Sequence, residues 1–526
     1  MRNVQMKHLM AGAWILSLGG LISKILSAVY RVPFQNLVGD TGFYIYQQVY
    51  PLYGIGMVLA LSGLPVYISK LIAAQPTASA RRATARKSIL LLTLLGGGIF
   101  ALTMFGAPLI ARAMADPQLT PLIRVVAVMF LLLPIVGGAR AYFQGVGDMV
   151  PTASSQVVEQ IVRVAIIIAA AAIGRVQHWS LYLIGTVAMS GAIVGGSVAA
   201  LMLMRPLRSE LSGRLLPTPD ERPDRNFVRH FFMDGGALAL FSALLVLMQL
   251  VDSFTITRTL TASGMAPHLA KIAKGVYDRG QPLVQLGLVV ATALSQSMLP
   301  DLTRRHLQGR VDSFKRTAVM MLHLSLISGV VAGCGLMVMM PAVNLFLFGD
   351  TQGSGVLVVY VLSVILVSAL NAMSSLLQSQ DQFRVPSIAL GTTLLAKFLL
   401  TPILTNMAGT LGSAWATVLS LAIGLSLVYR ALPLAIRQAL WDNRFRRKLV
   451  NVATVMVITG TTTLLFMPLT GRLHGLAACF VVGVVALTFG LVVAVRSGLL
   501  SLRELLMIPG GRQLAKLYLK VTNHRK

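Results

Sequence analysis

A chain of 526 residues, 56% hydrophobic and only 12% charged, with a mean hydropathy of +0.76, is no ordinary soluble domain, since such domains carry about 25% charged residues. Its formal charge of +28 has two candidate causes: contact with nucleic acid, or the gathering of Lys and Arg in the cytoplasmic loops of a membrane protein. The two cysteines, Cys334 and Cys479, both lie in apolar runs and supply neither a disulfide framework nor a metal-ligand spacing.

Runs able to cross a roughly 30 Å hydrocarbon core as helices recur from end to end. The first, 9–30, has no small-residue cleavage site after it and is followed by further spans, so it reads as a retained helix and not a signal peptide. The others are 43–73, 88–111, 121–143, 154–173, 180–204, 231–257, 281–300, 317–347, 356–377, 386–404, 411–429, 449–468 and 475–495, which predicts fourteen transmembrane helices in an all-α polytopic membrane protein. With a cytoplasmic N-terminus, the loops after even-numbered helices and the two termini hold 31 of the 45 basic residues, against eight on the other side and six within spans. The arginines from Arg205 to Arg229 and the cluster Arg444, Arg446, Arg447, Lys448 are typical of that side. This asymmetry predicts cytoplasmic termini and explains the charge without nucleic acid. Anionic membrane lipids are the expected partners. The tail, 499–526, is basic with leucines at near-helical spacing. It reads either as a segment lying on the membrane surface or as a solvated extension.

The chain also repeats itself. "LALSGLPVYISK" carries Pro65 and "TALSQSMLPDLTR" carries Pro300; "YFQGVGDMVP" ends at Pro151 and "LLQSQDQFRVP" at Pro386. Both offsets are 235, and "SKILSAVYR" before Arg31 is similar to "VDSFTITR" before Arg258. Twelve helices then divide into two six-helix lobes of the same direction, related by a pseudo-two-fold along the membrane normal, with two helices appended. The predicted boundaries are 1–215 for the first lobe, 216–433 for the second, and 434–498 for helices thirteen and fourteen. Transporters with repeated halves place the substrate site between them.

Ionisable side chains inside a span are costly and mark interior or wet faces. Ser17, Gly20, Lys24, Ala28 and Arg31 share one face of the first helix, opposite Ile, Leu and Val. Lys24 and Arg31 nearly eclipse, about 10 Å apart. For each, a cavity-facing role stands beside a plainer one: an ion pair for Lys24, snorkelling for Arg31. In "AKGVYDRGQPLVQLG" Arg279 opens the eighth helix, with Asp278 as a carboxylate at its N-terminus, where the helix dipole favours it. Lys271 and Lys274 make this outer loop unusually basic; a functional cluster and a surface patch are both open. Glu159 and Arg163, four apart on the fifth helix, suit an intrahelical pair. Asp252 in the seventh helix is a clear buried acid, and Lys397 in the eleventh has no local partner. No catalytic constellation, metal spacing or phosphate-cradling glycine loop is present, so neither an enzyme nor a cofactor is expected. With no nucleotide site, the energy must come from an ion gradient or the membrane potential.

Two segments carry a family resemblance. "LISKILSAVYRVPFQNLVGDTGFYIYQQVYPLYG" with "SGLPVYISKLIA" resembles the polysaccharide-flippase family that includes stage V sporulation protein B. "VYDRGQPLVQLGLVVATALSQSMLPDLTR" resembles the eighth-helix motif of MurJ-type lipid II flippases. Both groups belong to the multidrug/oligosaccharidyl-lipid/polysaccharide exporter superfamily. The resemblance implies two six-helix lobes around a cavity and a polyprenyl-tail groove formed by helices thirteen and fourteen. It implies a monomer in the bacterial cytoplasmic membrane that moves a polyprenyl-diphosphate-linked sugar, lipid II first among the candidates, from inner to outer leaflet. Other polyprenyl-linked glycans, drug export and a polytopic glycosyltransferase are the alternatives. By this similarity Lys24 matches a cavity cation and Arg279 the eighth-helix arginine, while Arg31 is one residue out of register. A second-helix arginine of Gram-negative members is absent, since "PLYGIGM" stands there. The family fold sets helices seven and eleven side by side, where some members bind sodium. Asp252 and Lys397 are therefore expected to pair, the ammonium taking the ion's place.

Overall fold

The computed structural model describes residues 19–499 except Lys24 and Trp441; the start of the first span and the tail beyond Leu499 lie outside the described residues. Those described fold into helices and connecting turns. Ten helices are long and apolar enough to cross a membrane, and two bent pairs bring the number to twelve. Two of the ten, Gly19–Ala73 and Arg384–Ala431, have 55 and 48 residues, against the roughly 20 that one crossing needs. Each is broken near its middle. Gly39 takes φ 70°, and Ala408–Gly409 leaves helical geometry with Gly409 at φ 59°. Both glycines sit in the left-handed region that side chains with a Cβ avoid. Each long helix thus contains two of the predicted spans, an arrangement consistent with fourteen.

The repeat prolines are only partly equivalent. Pro65, Pro151 and Pro386 sit in the first turns of helices that begin at Leu64, Val150 and Arg384. A missing N–H is least costly there. Pro300 lies inside Val289–Leu307 instead. Two other features depart from expectation. The seventh span bends by 71° between Arg225–Ser242 and Leu244–Ala262, at Ala243, with neither proline nor glycine at the break. The outer loop predicted at 258–280 is helical over Pro267–Asp278, and its Lys274 to Asp278 stretch is buried.

By packing, the chain separates into two compact units. Of the described residues, one contains those up to Asp278 together with Lys397–Gly409, and the other contains Arg279–Ala396 and those from Thr410 on. This division follows contacts, whereas the predicted lobes follow the repeat.

In the first unit, small residues bring helices into backbone contact. Gly191 and Gly195, four apart on Leu181–Glu210, face the carbonyls of Arg163 and Glu159 on Val150–Val176, where an added Cβ would lie 3.0 and 2.7 Å from the oxygens. Such small-xxx-small packing is a staple of membrane helices, whose association rests on close van der Waals contact. Gly275 backs onto the Asp40 carbonyl so tightly that no Cβ fits. This seats Pro267–Asp278 against Arg31–Met57. In the second unit Asn443–Leu465 and Arg472–Ser497 pack on Val311–Phe348, and His323 stacks on Phe445 at 3.7 Å.

Candidate functional site

The first unit contains a charged interior. Arg31 is fully buried, so it does not snorkel to the surface. Its guanidinium carbon lies 4.2 Å from the Tyr50 ring centroid. None of its three side-chain nitrogens makes a hydrogen bond among the described residues. Tyr46, Tyr50 and Tyr53 recur at helical spacing on Arg31–Met57 and with Tyr30 form a connected aromatic cluster, the Tyr30 and Tyr46 hydroxyls 2.9 Å apart. Lys24, expected on the same face as Arg31, lies outside the described residues.

The expected Glu159–Arg163 pair does not form. Glu159 Oε2 accepts from Arg140 Nη2 at 2.7 Å, an inter-helical bridge that leaves Arg163 without a carboxylate among the described residues. Arg163 turns to the tyrosines, 4.4 Å from the Tyr53 centroid and 5.1 Å from that of Tyr30. Its Nη2 donates to Gln160 Oε1 and Ser27 Oγ. The i,i+4 spacing permitted the pair, but Arg140 comes within reach only once the helices pack.

Asp252 and Lys397 do meet: Nζ lies 2.9 Å from Oδ1, both side chains essentially inaccessible. Tyr277 donates to Asp252 Oδ2 at 3.2 Å. One residue on, Asp278 ends the Pro267–Asp278 helix and immediately precedes Arg279, the N-cap of Gly280–Gly287. Lys274 one turn back pairs with it, Nζ lying 2.5 Å from Asp278 Oδ1. Arg31 is within Coulomb reach of the same carboxylate. Lys271, the other cation of this segment, bridges Asp116 at 2.8 Å and donates to the Tyr182 hydroxyl.

Arg279 belongs to the second unit. It is buried, stacked 5.0 Å from Phe348, and its fork spans both oxygens of Asp350 at 2.7 and 3.0 Å with Asn344 Oδ1 at 3.0 Å. Burial alone would raise the Asp350 carboxyl, but these hydrogen bonds hold it below its ordinary range. The cluster orders the turn after Val311–Phe348, where Asn344 also donates to the Gln352 carbonyl.

Asn344, Asp350, Arg140 and the tyrosine cluster were not singled out from the sequence. The tyrosine spacing was the one legible signal, since i, i+4, i+7 aromatics share a helical face. Among the described residues no group of His, Cys, Asp or Glu forms a metal site.

The family described as polysaccharide biosynthesis protein matches residues 9–306. An uncharacterized membrane protein of Bacillus subtilis (strain 168), YabM, is 35% identical over 524 residues, covering 96% of each chain. The lipid II flippase MurJ of the same organism is 25% identical over 413 residues, 73% of this chain and 76% of that one. A solved structure of a lipid II flippase MurJ in an inward closed conformation has a TM-score of 0.68 at 14% identity, covering 90% and 98% of the two chains. At that identity the likeness is one of fold.

Proposed function

This chain belongs to the polysaccharide biosynthesis protein family, and from that premise we propose that it is a flippase for a polyprenyl-diphosphate-linked sugar, with peptidoglycan lipid II as the leading substrate. The observation that carries the reading is Arg31: a guanidinium fully buried in the protein with no hydrogen-bond partner among the described residues. A buried cation is retained at such cost only where something anionic compensates it. Phosphate oxygens match that need, because an arginine fork binds them through paired charge-assisted hydrogen bonds. The similarity to a lipid II flippase over 73% of the chain supports the same class of cargo.

In this reading Arg31 and Lys24 receive the diphosphate and alternating access carries it outward. Asp278, within Coulomb reach of Arg31, tunes Lys274, and Arg279 positions the turn at Asp350. Helices thirteen and fourteen take the polyprenyl tail. The termini face the cytoplasm, the basic loops contact anionic lipid, and the chain works as a monomer. An inside-negative potential favours outward movement of net negative charge by about 2.3 kcal/mol per charge per 100 mV, so no coupling ion is required.

The test is rescue of cells depleted of an essential lipid II flippase, with precursor at the outer leaflet measured with the potential intact or collapsed. Rescue that fails on collapse is expected. Absence of rescue by a stably inserted protein would reject lipid II. The family description, polysaccharide biosynthesis, favours a second reading with the same diphosphate and another sugar. Rescue of a strain lacking a flippase for such a glycan would select it.

A further inference from the structure

Among the described residues, the buried charges of the first unit do not balance. Arg140 and Glu159 neutralise each other, as do Lys271 and Asp116. Around the tyrosine cluster and its neighbours stand four buried cations, Arg31, Arg163, Lys274 and Lys397, but two carboxylates, Asp252 and Asp278. Both carboxylates are taken by lysines, which leaves two positive charges on Arg31 and Arg163. Several of their N–H groups go unused as well. All three nitrogens of Arg31, and Nε and Nη1 of Arg163, make no hydrogen bond among the described residues. Both guanidinium groups face one tyrosine cluster through different rings: Arg31 lies over Tyr50, and Arg163 over Tyr30 and Tyr53.

Tyrosine faces attract cations but carry no net charge, so they relieve part of the cost only. Uncompensated charge in a low-dielectric interior is expensive enough that it is normally paired. We propose that Arg31 and Arg163, walled by Tyr30, Tyr46, Tyr50 and Tyr53, form a binding site for the phosphate oxygens of a diphosphate. A diphosphate esterified at both ends carries two negative charges, the number left unpaired. The planar forks supply donors in the geometry phosphate prefers, and the tyrosine hydroxyls supply further donors at the rim. Arg163 thereby becomes a binding residue that its sequence spacing concealed. This deepens the flippase reading and rests on it for the source of the diphosphate, a lipid headgroup. A free inorganic diphosphate offers the same phosphate oxygens with more negative charge.

The experiment uses the full chain in lipid nanodiscs. Binding of radiolabelled inorganic diphosphate, and separately of polyprenyl diphosphate, is measured for the wild type, Arg163→Gln and Arg163→Lys. Losing a charge-assisted fork should weaken binding by about ten- to a hundredfold in Arg163→Gln. Arg163→Lys, which keeps the charge and loses the fork, should fall between it and the wild type. If Arg163→Gln does not fold, the lysine variant decides: weakened binding supports the site, and wild-type affinity overturns it. Loss of both ligands in parallel assigns the site to the lipid headgroup. Arg163-dependent binding of inorganic diphosphate without any binding of the lipid keeps the site and removes the flippase reading. Lipid binding and flipping that ignore Arg163 do the reverse. Tyrosinate absorbance near neutral pH in the ligand-free protein would show the charge balanced from within and would also overturn the site.

Discussion

Replacing Lys397 by alanine strips the ammonium from a carboxylate that has no access to water. The two groups are 2.9 Å apart with side-chain exposures of 0% and 1%. At that separation their gross attraction is about 6 kcal/mol for an effective dielectric near 20. Desolvation of both ions offsets much of it, and the cost of orphaning one buried partner is about 3–5 kcal/mol. The Tyr277 hydroxyl remains on Asp252 Oδ2 and softens the loss, so the lower half of that range is expected. The double variant Asp252→Asn with Lys397→Met removes both charges and should recover at least half of the deficit, a coupling that only a double-mutant cycle isolates. Unfolding midpoints in mild detergent provide the measurement. A second arm replaces sodium chloride by choline chloride. Sodium should stabilise Lys397→Ala, whose carboxylate is open to a small cation, and leave the wild type unchanged. Wild-type stability in Lys397→Ala, or sodium dependence in the wild type, would refute the reasoning.

Three further outcomes are expected. Cysteines placed at the exposed positions Arg222 and Asn443 should be protected from an impermeant thiol reagent in intact cells, while one at Thr351 should react; the opposite pattern would invert the assigned orientation. Gly275→Ala drives a methyl into the Asp40 carbonyl. Overpacking of that kind costs about 1–3 kcal/mol, so a lowered unfolding midpoint is expected, and an unchanged one would contradict the close approach. The Asp350 carboxyl is held low by Arg279. Its stabilisation is therefore full above the ordinary carboxylate pKa of about 3.9 and is lost as pH falls through the lower folded value. Asp350→Asn should lower the midpoint at pH 7, and its difference from the wild type should shrink as the pH falls below about 3.9.

What the sequence determined by itself was everything that depends on composition along the chain. Helices follow from apolar runs, because a bilayer tolerates no unpaired backbone, and the breaks at Gly39 and Gly409 fall in the short gaps between predicted spans. The buried acid Asp252 and the unpartnered Lys397 were legible too, and once the family fold set their helices side by side they could be expected to meet. Partner choice was the part that local spacing could not decide. Glu159 and Arg163 have the separation of an intrahelical pair, yet Arg140, on the neighbouring helix Leu133–Val146, takes the carboxylate. Asp278 precedes the helix that Arg279 caps, as its sequence position suggested, but it also ends a helix in the loop before it, which Gly275 docks against Asp40. A buried charge chooses the nearest compensating group in three dimensions, at energies that outweigh the few tenths of a kcal/mol offered by an i,i+4 neighbour. The sequence therefore displayed the charges, and the tertiary packing decided which partner each of them meets.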